Sequence, residues 1–418
     1  MPRGKGKKRI IYATSLQSNF GIRREMFVSA SKYYNVNRLL LIISGLWPYQ
    51  KSKYRKIQAT FYLIIMFSFI VLQLMTFIDA NCTIDLIMKV LSLVLPMCAS
   101  IIKHGTFFYN NRKMKHLISL MWYHWTIIQD KQEIAILEKY TNYSRRFTIY
   151  MLHLCVLGMF VIIIGHTSPM ILDMIVPLNS SRPRHFYILV KSFVDEEKYF
   201  FWLLLHTIVT VLVAIMMMIS VGTMIITYFL HACAMFKIAG YRIGDAVTKN
   251  LTEVSYSKRN CAIYKKIING VHIHQKAIEF TDLIFSNLKV PYFIILSVGV
   301  ASLVLNIFQV FIALSTHNMN ELFTTFIFLF AQIVYMYVGN YGGQIITDHY
   351  VEVFNTTYNS YWYTVPLRSQ KLLLFIMQRT SKNFAFVLGL FVVSLKGFST
   401  LASMAMSYFT VIYSILSG

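Results

Sequence analysis

Charge is scarce in this chain: only 14% of its 418 residues are Asp, Glu, Lys or Arg, against roughly a quarter in a soluble globular protein. Hydrophobic residues make up 56%, and the mean hydropathy is +0.54. That is more apolar surface than a soluble core can hide, which excludes a soluble enzyme, a disordered protein and a coiled coil. Acids are the scarcest charge, 17 against 40 Lys and Arg, for a net +23. Such an excess fits nucleic acid in isolation. Here the cations lie in stretches between apolar runs, so the expected partner is a membrane surface and not nucleic acid. The five cysteines, Cys82, Cys98, Cys155, Cys233 and Cys261, are odd in number and lack CxxC spacing, which excludes a disulfide framework or a zinc site. Gly-rich phosphate loops, a nucleophile elbow and HExxH are all missing. His272 and His274 read as surface histidines, and a single carboxylate, Asp85, lies inside an apolar run, too few for acid/base chemistry. No enzyme activity, cofactor or metal is expected. Residues 1–38 contain no short apolar core before a cleavage site, so the first spanning helix is expected to direct insertion.

What the chain has in quantity is apolar runs. A spanning helix needs about twenty mostly apolar residues. Seven runs qualify: Gln58–Ile78, Thr83–Lys103, Phe147–Gly165, Phe200–Leu230, Val290–Leu314, Phe323–Ile346 and Phe384–Leu416. A shorter patch, Leu39–Tyr49, is broken by Gly45 and ends in Trp47-Pro48-Tyr49; it reads as an interfacial or re-entrant helix. The fold class is therefore an all-α integral membrane protein with seven transmembrane helices. The N-terminus and the second, fourth and sixth connections hold 34 of the 40 Lys and Arg, and the opposite side holds 4. By the positive-inside rule the N-terminus is cytoplasmic and the C-terminus extracellular, the reverse of a G-protein-coupled receptor. No Asp-Arg-Tyr follows the third run and no Asn-Pro-x-x-Tyr occurs in the seventh.

In the seventh run Ser399, Ser403 and Ser407 recur at a step of four and give way at the same step to Val411 and Ile415. Such a stripe winds slowly round one helix face. It suits either a water-lined path closed by an apolar pair or a packing seam against a neighbouring helix. Lys396 lies near the cytoplasmic end of this run and fits either snorkelling or the mouth of a water path. Asp85 and Lys89, four apart in the favourable acid-first order, are expected to pair with each other. Pro96 is expected to kink the same helix. Aromatic and methionine side chains crowd the outward halves, and by depth and type Met88, Met159, Phe160, Trp202, His206, Phe326 and Phe330 are the candidate lining of a pocket for a small apolar molecule. Of the sequons at Asn81, Asn142, Asn179, Asn250 and Asn355, only Asn179 lies in an outer connection long enough to present a glycan.

The last sixty residues carry a familiar pattern. Tyr361-Trp362-Tyr363, Pro366, Lys371, Phe375, Arg379, Gly389, Phe391, Ser394-Leu395, Phe398 and Ser407-Tyr408-Phe409 resemble the C-terminal signature of insect odorant receptors. Further upstream, Asn37-Arg38, Gly45-Leu46-Trp47-Pro48-Tyr49, the run from Pro177 to Pro183 and Glu196-Glu197-Lys198-Tyr199 are similar to receptors of ants and their relatives. The resemblance implies an odorant-gated, non-selective cation channel in a hetero-tetramer with an odorant receptor co-receptor, in the plasma membrane of olfactory sensory neuron dendrites. It places the gate at Val411 and Ile415 and the pore lining at Ser399, Ser403 and Ser407. It also places a volatile ligand among the outer halves of the second, third, fourth and sixth helices. Arg368–Lys382 matches the cytoplasmic helix through which family subunits anchor each other. The domain plan is then a cytoplasmic N-terminus with the re-entrant helix (1–57), a six-helix sensing domain (58–346), an anchor segment (347–383) and the pore helix (384–418). The co-receptor has a longer fourth connection, so an odour-tuning subunit is expected. The alternative reading is a metabotropic, G-protein-coupled chemoreceptor.

Overall fold

The computed structural model describes residues 33–79, 83–175, 199–248, 256–317, 319–382, 386–389 and 391–417. Asn81, Asn179 and Asn250 lie outside them. Residues 33–43 form α1, and the chain turns at Gly45, whose φ is +67°. The apolar patch 39–49 is thus half helix, half turn, because glycine alone takes this backbone angle without strain. Among the described residues seven helices are long and apolar enough to cross a membrane. They are α2 (Ser52–Asp79), α3 (Ile84–Tyr109), α5 (Lys131–Ile175), α6 (Phe200–Thr248), α7 (Tyr256–Ser315), α8 (Met319–Tyr358) and α10 (Leu395–Ser417). Between them lie α4 (Asn111–Ile127) and α9 (Leu367–Thr380).

Four helices run well past the apolar spans on the basic side, and there the extension has its own logic. Along α7 the residues Ile263, Ile267, His274, Ala277, Thr281, Ile284 and Leu288 are buried at steps of three, four and seven, an amphipathic stripe of helical period. The fourth connection is therefore mostly helix rather than loop. These extensions, with α1, α4 and α9, enclose the main core: Leu41, Leu117, Met121, Phe236, Ile243, Phe280, Tyr350 and Leu373 belong to one continuous cluster. Each such large side chain, fully buried, contributes about 1.5–3 kcal/mol. α6 runs through the middle, packed on α5, α7 and α8, and has no charged residue before Lys237. The opposite half of the bundle holds two small clusters, one joining Met66, Phe69, Met97 and Met217, the other joining Val304, Met336, Leu401 and Ala405.

The seventh span starts later than its hydropathy indicates. Residues expected to open a helix at Phe384 instead form a two-stranded hairpin, β1 (Val387–Leu388) and β2 (Phe391–Val392), with Val387 opposite Val392 and Leu388 opposite Phe391. Gly389 makes the turn at φ +60°. Val393 N–H donates to the carbonyl of Phe386 at 2.9 Å. The hairpin rests against α8 at Gly343, where an added Cβ would come within 2.4 Å of the Val393 carbonyl oxygen. Only glycine permits that approach.

Candidate functional site

α10 has two unlike faces. Leu401 and Ala405 are buried against α7 and α8, and Phe311 stacks edge-on against Phe409 at 6.0 Å and Tyr413 at 4.8 Å. Ser399, Ser403, Ser407, Val411 and Ile415 all lie on the exposed side. Val411 is 56% and Ile415 73% exposed. A seam against another helix of this chain is therefore not what the stripe makes: among the described residues nothing covers it. Lys396, in the first turn, is exposed as well.

The seven candidate pocket residues do not come together. Trp202 is 71% exposed, and Phe160, Phe326 and Phe330 also face outward; Met88 and Met159 are half-buried. His206 is partly buried, hydrogen-bonded to the Ser68 hydroxyl at 2.9 Å and stacked on Phe69. What the end of the bundle away from the basic side does enclose is polar. Lys89 donates to the Glu321 carboxylate at 2.5 Å, joining α3 to α8, so the expected Asp85–Lys89 pair gives way to a non-local one. Beneath it a cavity of about 20 Å³ is lined by Ser92, Asn306, Gln309 and Thr325 together with the ion pair. Asn306 donates to Gln332 at 2.8 Å, and Gln332 to the carbonyl of Gly299 at 2.8 Å. The buried Gln309 amide nitrogen has no hydrogen-bond partner among the described residues, and a polar cavity of this volume is large enough for a single water molecule. Ser302, Asn306 and Gln309 share one buried face of α7 at steps of four and three. That spacing was the available signal.

Lys103 is the other surprise. The last residue of its apolar run by sequence, it is 1% exposed, with its ammonium bonded to the Tyr335 hydroxyl and to the Met218 carbonyl at 3.3 Å. It ties α3 to α6 and α8. Among the extensions, His124 and His231 stack with ring centroids 5.3 Å apart, Nδ1 of the first 3.0 Å from Nε2 of the second. Phe280 closes on both rings. His124, on α4, is pushed down to about 3, first by burial and then by Lys276. His272 is exposed as expected, whereas His274 is buried and stacked on Tyr350, so it belongs to the core and not the surface.

Seven apolar helices and a hairpin-led last helix with an uncovered hydroxyl stripe define a multi-pass membrane protein. The chain matches the 7tm odorant receptor family over residues 83–406 and belongs to that family. It is an odorant receptor and not an enzyme. The solved structure of the insect olfactory receptor OR5 of Machilis hrabei in complex with eugenol superposes with a TM-score of 0.72 over 94% of this chain and 100% of that one, at 13% identity. The structure of the same receptor described without eugenol gives a TM-score of 0.69 over 93% and 99%, again at 13% identity. No curated protein matches the chain.

Proposed function

We propose that this chain is the odour-tuning subunit of an odorant-gated, non-selective cation channel, assembled with a co-receptor in a hetero-tetramer. The observation that carries it is the bare stripe of α10. Five side chains at a step of four, hydroxyls giving way to Val411 and Ile415, face away from every described element of their own chain. In an assembly of four such helices they line a central path. Ser399, Ser403 and Ser407 wet it, and Val411 and Ile415 close it, because an apolar ring narrower than a hydrated ion imposes a desolvation barrier without any charge. The N-terminus is cytoplasmic and the C-terminus extracellular, in the dendritic membrane of olfactory neurons, and Asn179 carries the glycan. A small volatile enters the outer half near α3, α5, α6 and α8.

Co-expression with a co-receptor under voltage clamp tests this reading. Val411→Ser or Ile415→Gln raises leak current or alters ion selectivity, partially, since the co-receptor supplies gate residues of its own. Odour responses survive block of G proteins. Currents abolished by that block, or gate variants indistinguishable from lipid-facing controls on α10, sink the channel reading.

A further inference from the structure

The basic end of the bundle holds a cluster of cations for which the described residues provide no counter-charge. The start of α2 brings Lys51, Lys53, Arg55 and Lys56, and the start of α4 brings Arg112, Lys113 and Lys115. The two groups are neighbours in space. The Arg55 guanidinium lies 5.2 Å from the ring centroid of Phe108, at the end of α3, and the Lys115 ammonium 4.9 Å from that of Tyr49, just ahead of α2. Tyr49 in turn touches Trp47, which sits under Arg38 at 5.8 Å. Aromatic faces hold these cations in place at modest entropic cost.

Among the described residues no carboxylate pairs with them. The sequence has no Asp or Glu between Glu25 and Asp79, nor between Asp85 and Asp130. The ion pairs among the described residues, at Lys89, Lys237, Arg242 and Lys266, involve none of the seven. Elsewhere the chain does pair its cations: Arg242 is held bidentate by Glu133 at 2.6 and 2.7 Å. The Arg55 Nε is closed off from solvent and has no hydrogen-bond partner among the described residues. Both helix starts also lack the acidic first-turn residues that favour a helix N-terminus, and carry cations there instead. An anion from outside the chain relieves all of this at once.

The shape of the surroundings says which anion. Tyr49, Tyr54 and Tyr109 are exposed beside the cations, at the level of a membrane interface. From there Ile57, Phe61 and Ile64, spaced four and three apart, form an exposed apolar strip up α2. A soluble phosphate uses the cations and ignores the strip; a phospholipid uses both. We propose that the starts of α2 and α4 form a binding site for an anionic phospholipid, its phosphorylated headgroup among Lys53, Arg55, Arg112, Lys113 and Lys115 and an acyl chain along Ile57, Phe61 and Ile64. The inference rests on the proposed orientation, which sets this end against the anionic cytoplasmic leaflet.

The purified chain in phosphatidylcholine nanodiscs tests it without any odorant or co-receptor. Dioctanoyl phosphatidylinositol bisphosphate raises the melting temperature and is retained in native mass spectra; dioctanoyl phosphatidylserine does so more weakly, and phosphatidylcholine does not. The combined Lys53→Gln, Lys113→Gln and Lys115→Gln variant loses roughly tenfold or more in apparent affinity. The Lys→Arg triple retains binding, which guards against a folding defect in the glutamine set. Neutralising Lys265 and Lys382, exposed cations on α7 and just beyond α9, leaves binding unchanged. Equal binding of free inositol trisphosphate, equal loss in the Lys265 and Lys382 variant, or full binding by the glutamine triple overturns the proposal. A glycan found on the basic side overturns the orientation instead, and the nanodisc result stands apart from it.

Discussion

A histidine that never meets water cannot titrate near neutrality, and His124 is such a residue. It is 2% exposed, pressed between His231 and Phe280, and its folded pKa of about 3 lies below the unfolded value of about 6.5. The unfolded chain therefore takes up a proton first. The stability that neutral His124 provides is complete above about pH 6.5 and drains away as pH falls toward 3. From pH 6.5 to 5.5 the loss is about 1 kcal/mol for this one group. Melting temperatures of the purified chain should fall over that window, and His124→Gln should flatten the fall. An unchanged pH slope in the variant places the acid sensitivity elsewhere. The same residue shows where sequence reading stops. A histidine or lysine at the edge of an apolar run looks like a solvated cap; whether it is buried depends on what another helix lays over it. Tyr335 lies 232 residues from Lys103, and Glu321 lies 232 from Lys89. Local spacing favoured Asp85 for Lys89, and tertiary packing supplied a partner that no local rule names. Depth and side-chain type likewise say nothing of which way Trp202 or Phe326 points, and the fold leaves both exposed.

Elements were legible to the extent that hydropathy decides them. All seven spans sit where their apolar runs are, because the bilayer requires helices and a minimum length. Their ends were not legible, since α5, α6, α7 and α8 continue past the membrane on burial of narrow stripes that a window average hides among cations. The start of α10 escaped for another reason. Phe386-Val387-Leu388-Gly389 is as apolar as a helix turn, but Gly389 and the β-branched neighbours favour a tight hairpin. That hairpin depends on Gly343. A methyl group there collides with the Val393 carbonyl and forces the strand off α8. Gly343→Ala should cost about 1–3 kcal/mol in thermal stability, the range of overpacking, and should weaken odour-evoked current more than surface expression. Wild-type currents from Gly343→Ala would mean that the hairpin shifts without strain. The stripe of α10 was legible as a stripe; that it lies bare could be learned only from the fold.

For the whole molecule, orientation is the property on which the functional reading turns. The 34 cations on one side against 4 on the other make a cytoplasmic N-terminus the expected outcome. Glycosidase treatment of cell-expressed protein should shift its mobility, and Asn179→Gln alone should remove the shift. Modification at Asn142, which lies on the basic extension of α5, would invert the topology and revive a metabotropic receptor.

Packing is uneven along the length of the molecule, and that has a mechanical consequence. α6 is 49 residues long, about 74 Å at 1.5 Å per residue. Its basic half, from Val221 to Val247, is clamped in the main core, while its far end meets only a small cluster. A long rod gripped at one end is a lever. The free arm, residues 200–220, is about 31 Å long, so a tilt of about 3° at the clamp moves its tip by about 1.6 Å. The gate and ligand site proposed above both belong to the free end, where only small clusters hold the rods together. Small ligand energies are therefore spent where the lever arm is longest, and the clamped end serves as the fulcrum.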